Sequence, residues 1–362
     1  MCNIFNCMIS KERYLSPEKW GLILNELPFQ LQTSVIGQSV LNQPIAAHRI
    51  GNGPVKVLMW SQMHGNESTT TRALFDVIKH LYSSDGNSLL ENLSLMVIPQ
   101  LNPDGAAAYT RLNANGIDLN RDAIVLSQPE SIALKKVFDA FTPDFCFNLH
   151  GQRSIFSAGK KGKPATLSFL SPAADTALTI TPARTKAMQL IGSITEVLQS
   201  DLPRQMGRYD DTFNPNCVGD SFTAHGVPTI LFEAGHHGLD YDRNFTKEMV
   251  VKALMAGLIG ISSEKYLENS VEDYQAIPEN EKDYVDLIIK NVTVETDSGI
   301  FKNQELAVIY QEVKKEKSVA FIPTCFAFAE KINLLAHKTV RADEVMNTNP
   351  IKYGPGKSID IF

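Results

Sequence analysis

His64-Gly65-Asn66-Glu67 sets an imidazole and a carboxylate three residues apart, where an apolar run gives way to an amphipathic one. A second imidazole, His150, closes another apolar run, and Glu233 closes a third. Two nitrogen donors and one carboxylate form the ligand set of hydrolytic zinc sites, which keep a fourth position open. Zinc lowers the pKa of water to about 7 and polarises a carbonyl, which is the chemistry that amide hydrolysis near neutral pH requires. An isolated H-x-x-E pattern arises often by chance, and a solvated turn followed by an acid in a helix's first turn would account for it equally well. A further polar stretch changes the balance: Arg111 is followed by Gly116-Ile117-Asp118-Leu119-Asn120-Arg121, directly after a core strand. Arginine matches carboxylates in two-pronged pairs, so an Arg-Asn pair beside a metal could clamp a substrate carboxylate while a second arginine stabilises an oxyanion.

Elements must bring these groups together. Ser16 and Pro17 open a short helix over 16–27, and alternating segments follow at 32–38 and 44–50. The run 55–60 is short and apolar enough for a buried strand, and Leu74, Val77, Ile78 and Leu81 recur at helical spacing within 67–83. Strands are expected at 93–99, 144–149 and 228–232, with helices over 128–141, from Thr181 to about Gln199, and over 245–263. Ser127-Gln-Pro-Glu130 reads as a capping box, and Asn102-Pro103-Asp104-Gly105 reads as a turn. Strands alternating with helices at this spacing predict an α/β layered domain. His64 and Glu67, His150, and Glu233 each fall just past the C-terminal end of an expected strand. Ligand crevices of open α/β sheets lie there, so the groups can converge. From about residue 272 the pattern becomes short alternating segments around the hairpin signal Asp297-Ser298-Gly299. The expected organisation is therefore 1–271 as one α/β unit and 272–362 as a small β-rich module.

His64-x-x-Glu67, Asn102-Pro-Asp-Gly105, Asp118-Leu-Asn-Arg121, Leu149-His150-Gly151 and Phe232-Glu233 occur in the order found in the zinc carboxypeptidase (M14-type, funnelin) family. Over roughly 45–260 the chain resembles the compact bacterial members. The resemblance implies a three-layer sandwich with a mixed central sheet, and Zn²⁺ held by His64, Glu67 and His150. It implies Glu233 as the general base, Arg111 as the oxyanion stabiliser, and Asn120 and Arg121 as the groups holding a terminal carboxylate. Asp118 matches the position that orients the first histidine. Tyr209 is the tyrosine nearest the place of a mobile family tyrosine, though not in register with it. The implied activity is removal of a C-terminal residue from short peptides. Two other readings stand beside it: a deacylase of N-acyl amino acids resembling succinylglutamate desuccinylase or aspartoacylase, which also append a β-rich module, and a non-catalytic carboxylate-binding protein. The Asn-Pro-Asp-Gly turn and the longer α/β region favour the peptidase, and Glu233 disfavours pure binding.

The remaining polar residues read more simply. Asp220 reads as a helix cap, with an acid facing a basic substrate as the alternative. His236 and His237 read as rim residues, and His48, His80, His225 and His337 as structural or surface histidines. Ser61, Ser68 and Ser154 have no G-x-S-x-G elbow, which disfavours a serine hydrolase. Composition narrows the class further. With 34 Lys+Arg against 40 Asp+Glu the net charge is −6, and there is no long single-sign block, which disfavours nucleic acid and anionic membranes as partners. At 43% hydrophobic and 20% charged residues, the 362-residue chain reads as globular. Five cysteines without close pairs favour neither a disulfide framework nor a thiolate metal site. Met1 to Tyr14 lacks a basic segment followed by an apolar one, and no run approaches the length of a membrane span, so the expected location is cytoplasmic.

Overall fold

The computed structural model describes residues 12–83, 86–345 and 350–359. Cys2, Cys7 and most of the Met1–Tyr14 segment lie outside the described residues. Helix Pro17–Asn25 begins as its sequence indicates, with the Ser16 side chain accepting a bond from the Lys19 amide. Strands β1 (Gln32–Gln38), β2 (Pro44–Ile50), β3 (Val55–Ser61), β4 (Leu93–Ile98) and β5 (Phe145–Gly151) follow. After the two-residue β6 (Ser157–Ala158) come β7 (Leu167–Leu170), β8 (Met206–Arg208) and β9 (Thr229–Ala234). Eight of these form one sheet in the order β1-β2-β4-β3-β5-β9-β7-β8. Its centre, β4-β3-β5-β9, is parallel, and the joins β1-β2, β2-β4 and β9-β7 are antiparallel, so the sheet is mixed.

The central strands are apolar along their whole length because both faces are covered. Val57 and Met59 point to a core completed by helices Ser68–Leu81, Pro182–Leu198 and Asn244–Ser263. Leu58 and Trp60, one residue out of phase, meet Pro129–Phe141 and Val218–Ala224 on the other face. Three layers result. Full burial of a side chain such as Phe147 contributes about 1.5–3 kcal/mol. No helix among the described residues is long and apolar enough to cross a membrane.

Several local readings are corrected. Helix Pro129–Phe141 has Gln128, not Ser127, at its cap, and no side chain closes a capping box. Asp122 does the work instead, accepting from the Ser127 hydroxyl and from the Gln128 amide. Glu130 is buried and takes the Val40 amide and the Asn113 side chain. The Asn102–Gly105 segment is a helix start: Asn102 caps Pro103–Ala108 by accepting from the Gly105 amide. Asp220 sits in the first turn of Val218–Ala224, behind Cys217 at the cap, and accepts from the Ala173 amide.

Beyond the sandwich, β10 (Asn280–Glu281) pairs with β6. A five-stranded sheet follows, built from β11 (Tyr284–Thr296), β12 (Gly299–Lys315), β13 (Ser318–Ala329), β14 (Leu335–Arg341) and β15 (Ile351–Lys352). Residues 284–296 form one continuous strand, with a register shift between Ile289 and Val292, where Asn291 takes a φ of +59° in the left-handed region. Helix Val271–Gln275 straddles position 272, and its Tyr274 lies in the main core together with Ile277.

His48 on β2 is fully buried, with Nδ1 beside the Thr33 hydroxyl at 2.9 Å. Burial lowers its pKa to about 4, so the folded state holds it neutral. The unfolded imidazole takes up a proton near pH 6.5, which makes its contribution intact above that value and progressively lost as pH falls toward 4. We expect this to cost about 3 kcal/mol by pH 4. Denaturant titrations of wild type and His48→Gln across that window check it: parallel pH dependences for the two proteins would contradict it.

Candidate active site

The register of the sheet carries the convergence. β5 and β9 run parallel with His150 directly opposite Glu233, so both side chains leave the same face at the carboxyl end. β3 lies on the other side of β5, and its C-terminal loop delivers His64 and Glu67 to the same point. That loop needs Gly65, since a Cβ there would stand 1.9 Å from the backbone carbon of Gly105. Asn102 fixes the same junction by donating to the Met63 carbonyl at 3.2 Å. The Asn-Pro-Asp-Gly motif thus acts as a prop beneath the His64 loop.

His64 Nδ1 and Glu67 Oε1 are 2.9 Å apart, His150 Nδ1 and Glu67 Oε2 are 3.0 Å apart, and the two histidine Nδ1 atoms are 3.1 Å apart. Among the described residues this is the one group of three or more His, Cys, Asp or Glu able to hold a metal ion. A tetrahedral zinc with bonds of 2.0–2.1 Å spaces its ligands about 3.3 Å apart, so the donor set fits the ion. Two facing Nδ1 atoms can share only one proton between them, and a shared cation satisfies both lone pairs and the carboxylate together. Asp118 Oδ1 meets His64 Nε2 at 3.0 Å and fixes that ring, while His150 Nε2 is buried without a partner.

Electrostatics in the cluster follow the charges. Burial works against a charged His64, but Glu67 and Asp118 outweigh it and raise its pKa to about 9. Burial likewise opposes ionisation of Glu67, yet the two imidazoles hold it well below the usual carboxylate range. Glu233 is pushed the other way: burial, then the nearby Glu67 charge, raise it well above the ordinary value. Its Oε2 is buried with no hydrogen-bond partner. Tyr209 is raised by burial and by Glu233, and its hydroxyl donates to Gln152 Oε1 at 2.7 Å.

These groups line a cleft of about 760 Å³ that also takes in Arg111, Asn120, Arg121 and Gln152. Arg111 donates through Nε and Nη2 to Asp118 Oδ2, at 3.1 and 3.0 Å, with Nη1 3.5 Å from Glu67. Asn120 spends its carbonyl on the Val218 amide, which leaves its NH₂ as the group still able to bond. Arg121 Nη1 donates to the main-chain carbonyl of Asn120 and contacts Cys217 Sγ. Cations and amide donors therefore converge on one region, a match for an anion. Arg13, Arg243 and Glu312 also border the cleft and were not singled out in the sequence. Arg243 is fully buried and donates to the Ala234 and Gln152 carbonyls at 2.6 Å each, tying together the chain ends that carry Glu233 and His150. Its sequence neighbours carry no periodic signal of this role. A larger hollow of about 1140 Å³, between helix Pro17–Asn25 and β2, contains none of these groups. His236 bonds the Gly238 carbonyl and packs on His337, away from the donor set.

Residues 20–156 match the family model described as zinc carboxypeptidase. Over that segment the chain is similar to the zinc carboxypeptidase family. The matched span includes His64, Glu67, Asp118, Asn120, Arg121 and His150, and stops short of Glu233. Probable carboxypeptidase 2 of Trichophyton verrucosum is 30% identical over 113 residues, 30% of this chain and 21% of that one. The chain therefore spans about a fifth of the length of the curated relatives it matches. The metallo-carboxypeptidase of Burkholderia cenocepacia superposes with a TM-score of 0.55 at 17% identity, over 70% of this chain and 71% of its own. Bovine thrombin-activatable fibrinolysis inhibitor gives 0.57 at 13% identity, over 70% of this chain and 99% of its own. Both share the α/β fold with its mixed central sheet.

Proposed function

We propose that the protein is a zinc metallocarboxypeptidase that releases the C-terminal residue of short peptides. The observation that carries this reading is the unpartnered, buried Glu233 oxygen beside the His64, Glu67 and His150 donor set. When bound there, zinc supplies Lewis acidity to water and to a carbonyl, and its charge draws the Glu233 carboxyl toward its ionised form. Glu233 accepts a proton from water at Oε2 and returns it to the leaving amine. Arg111, braced on Asp118, presents Nη1 to charge developing on the carbonyl oxygen. Asn120 and Arg121 hold the substrate's terminal carboxylate, and Tyr209 borders the bound chain. A second reading, hydrolysis of N-acyl amino acids, is favoured by the β-rich module that borders the cleft. The proposed setting is the cytoplasm, where thiols such as Cys146, Cys217 and Cys325 stay reduced.

Incubation of zinc-loaded protein with peptides and with N-acyl amino acids, followed by amino-acid analysis, tests the proposal; release from neither class would overturn it. Arg121→Ala is expected to raise KM by roughly 10–100-fold, the loss of one bond to a charged group, with a smaller change in kcat. An unchanged KM would place the carboxylate elsewhere.

A further inference from the structure

The β-rich module borders the cleft. Ile309, Tyr310, Gln311 and Glu312 of β12, with Thr324 of β13, line the same cavity as His64, Glu67, His150 and Glu233. Tyr310 and Glu312 stand on one face of β12, two residues apart, and both meet the sandwich. Tyr310 packs on Tyr241 with ring centres 5.0 Å apart, and Glu312 pairs with Arg13 at 2.7 Å and accepts from the Tyr109 hydroxyl at 2.5 Å.

This wall is fastened at two separate segments that border the cleft. At one, Glu312 joins Arg13 and Tyr109, and Lys314 donates to the Ala107 carbonyl at 2.6 Å. At the other, His337 Nε2 meets the Ser154 carbonyl at 2.8 Å and the Tyr284 amide donates to the Ile155 carbonyl at 3.1 Å. Between them Tyr241 donates to Asp286, itself 1% exposed, at 3.0 Å. The Arg13–Glu312 pair, with Arg13 buried and Glu312 partly buried, leaves a buried guanidinium without its partner if broken, which together with the other bonds makes the wall a fixed part of the site rather than a loose flap.

Resting on the hydrolase reading above, we infer that the β-rich module ends the cleft on the acyl side and sets substrate length, with Tyr310 and Glu312 as its substrate-facing stop. Asn120 and Arg121 take the terminal carboxylate, so whatever lies N-terminal to the scissile bond must extend along the remaining lining, toward β12. A volume of about 760 Å³ falls within the roughly 300–1,000 Å³ of sites that enclose small ligands. The substrates are then dipeptides, tripeptides and short N-acyl amino acids, and longer chains are excluded.

The test is a length series of peptides, from dipeptide to octapeptide, sharing the C-terminal residue that the zinc-loaded protein releases fastest. We expect kcat/KM to fall by roughly tenfold or more past the tripeptide, a pocket-sized discrimination. Tyr310→Ala should flatten that fall by accelerating the longer members, and Tyr310→Phe, which keeps the ring, should restore the wild-type profile. A flat wild-type profile overturns the inference whatever the variants do. So does a Tyr310→Ala protein that melts like wild type and retains the full length dependence. No turnover at any length by zinc-loaded protein overturns the hydrolase reading and the length limit with it.

Discussion

Glu233→Gln is expected to lower kcat by roughly 10²–10⁴-fold, the range lost when a positioned general base is removed. Bound zinc should stay at the wild-type level. The substitution keeps shape and volume, so β9 and its pairing with β5 should persist, and the donor set of His64, Glu67 and His150 is untouched. What changes is the one carboxyl in the cleft whose Oε2 has no hydrogen-bond partner. An amide nitrogen cannot take a proton from water, so a variant that binds substrate and metal but does not turn over is the expected phenotype. Steady-state kinetics together with metal analysis of the same preparation decide it. Near-normal turnover would show that another group moves the proton.

This prediction rests on a feature that is plain in the amino-acid sequence. β3, β5 and β9 are continuous apolar runs because both faces of a parallel sheet are covered, and a polar residue at the end of such a run marks the sheet's carboxyl edge. His150 and Glu233 each occupy such an end, and β3–β5–β9 adjacency then places them side by side. Less visible were elements with little apolar pattern of their own. β7 and β8 are four and three residues long, too short for a period to register. Helix Val218–Ala224, with Gly219, Ser221 and Thr223, is held by the Asn120 carbonyl bond to the Val218 amide rather than by propensity. Arg13, Arg243 and Glu312 depend on docking between segments far apart in the chain, and no local spacing encodes that. Asn102–Gly105 misled in the opposite sense: Asn-Pro is as much a helix start as a turn, and only the neighbouring Gly65 loop decides between them.

Graded loss of metal is the second large effect. His150→Ala removes one of three protein donors and should abolish stoichiometric zinc and turnover together. Asp118→Asn leaves all three donors in place but exchanges the carboxylate that fixes His64 for a neutral amide, so it should weaken zinc binding by only about 10–100-fold, the usual share of an outer hydrogen-bond partner. The ordering matters more than either number. If the cluster were merely a buried polar network, removing His150 would leave Glu67 Oε2 bonded by the Gly151 amide and short of its imidazole partner. The consequence would then be lost stability with no dependence on metal. A metal site predicts the reverse: zinc raises the melting temperature of wild type, raises that of Asp118→Asn at higher zinc concentration, and does nothing for His150→Ala, because ligand stabilises only the state that binds it. Thermal unfolding across a zinc titration separates the two. Equal zinc responses from all three proteins would mean that the imidazole at 150 holds no metal.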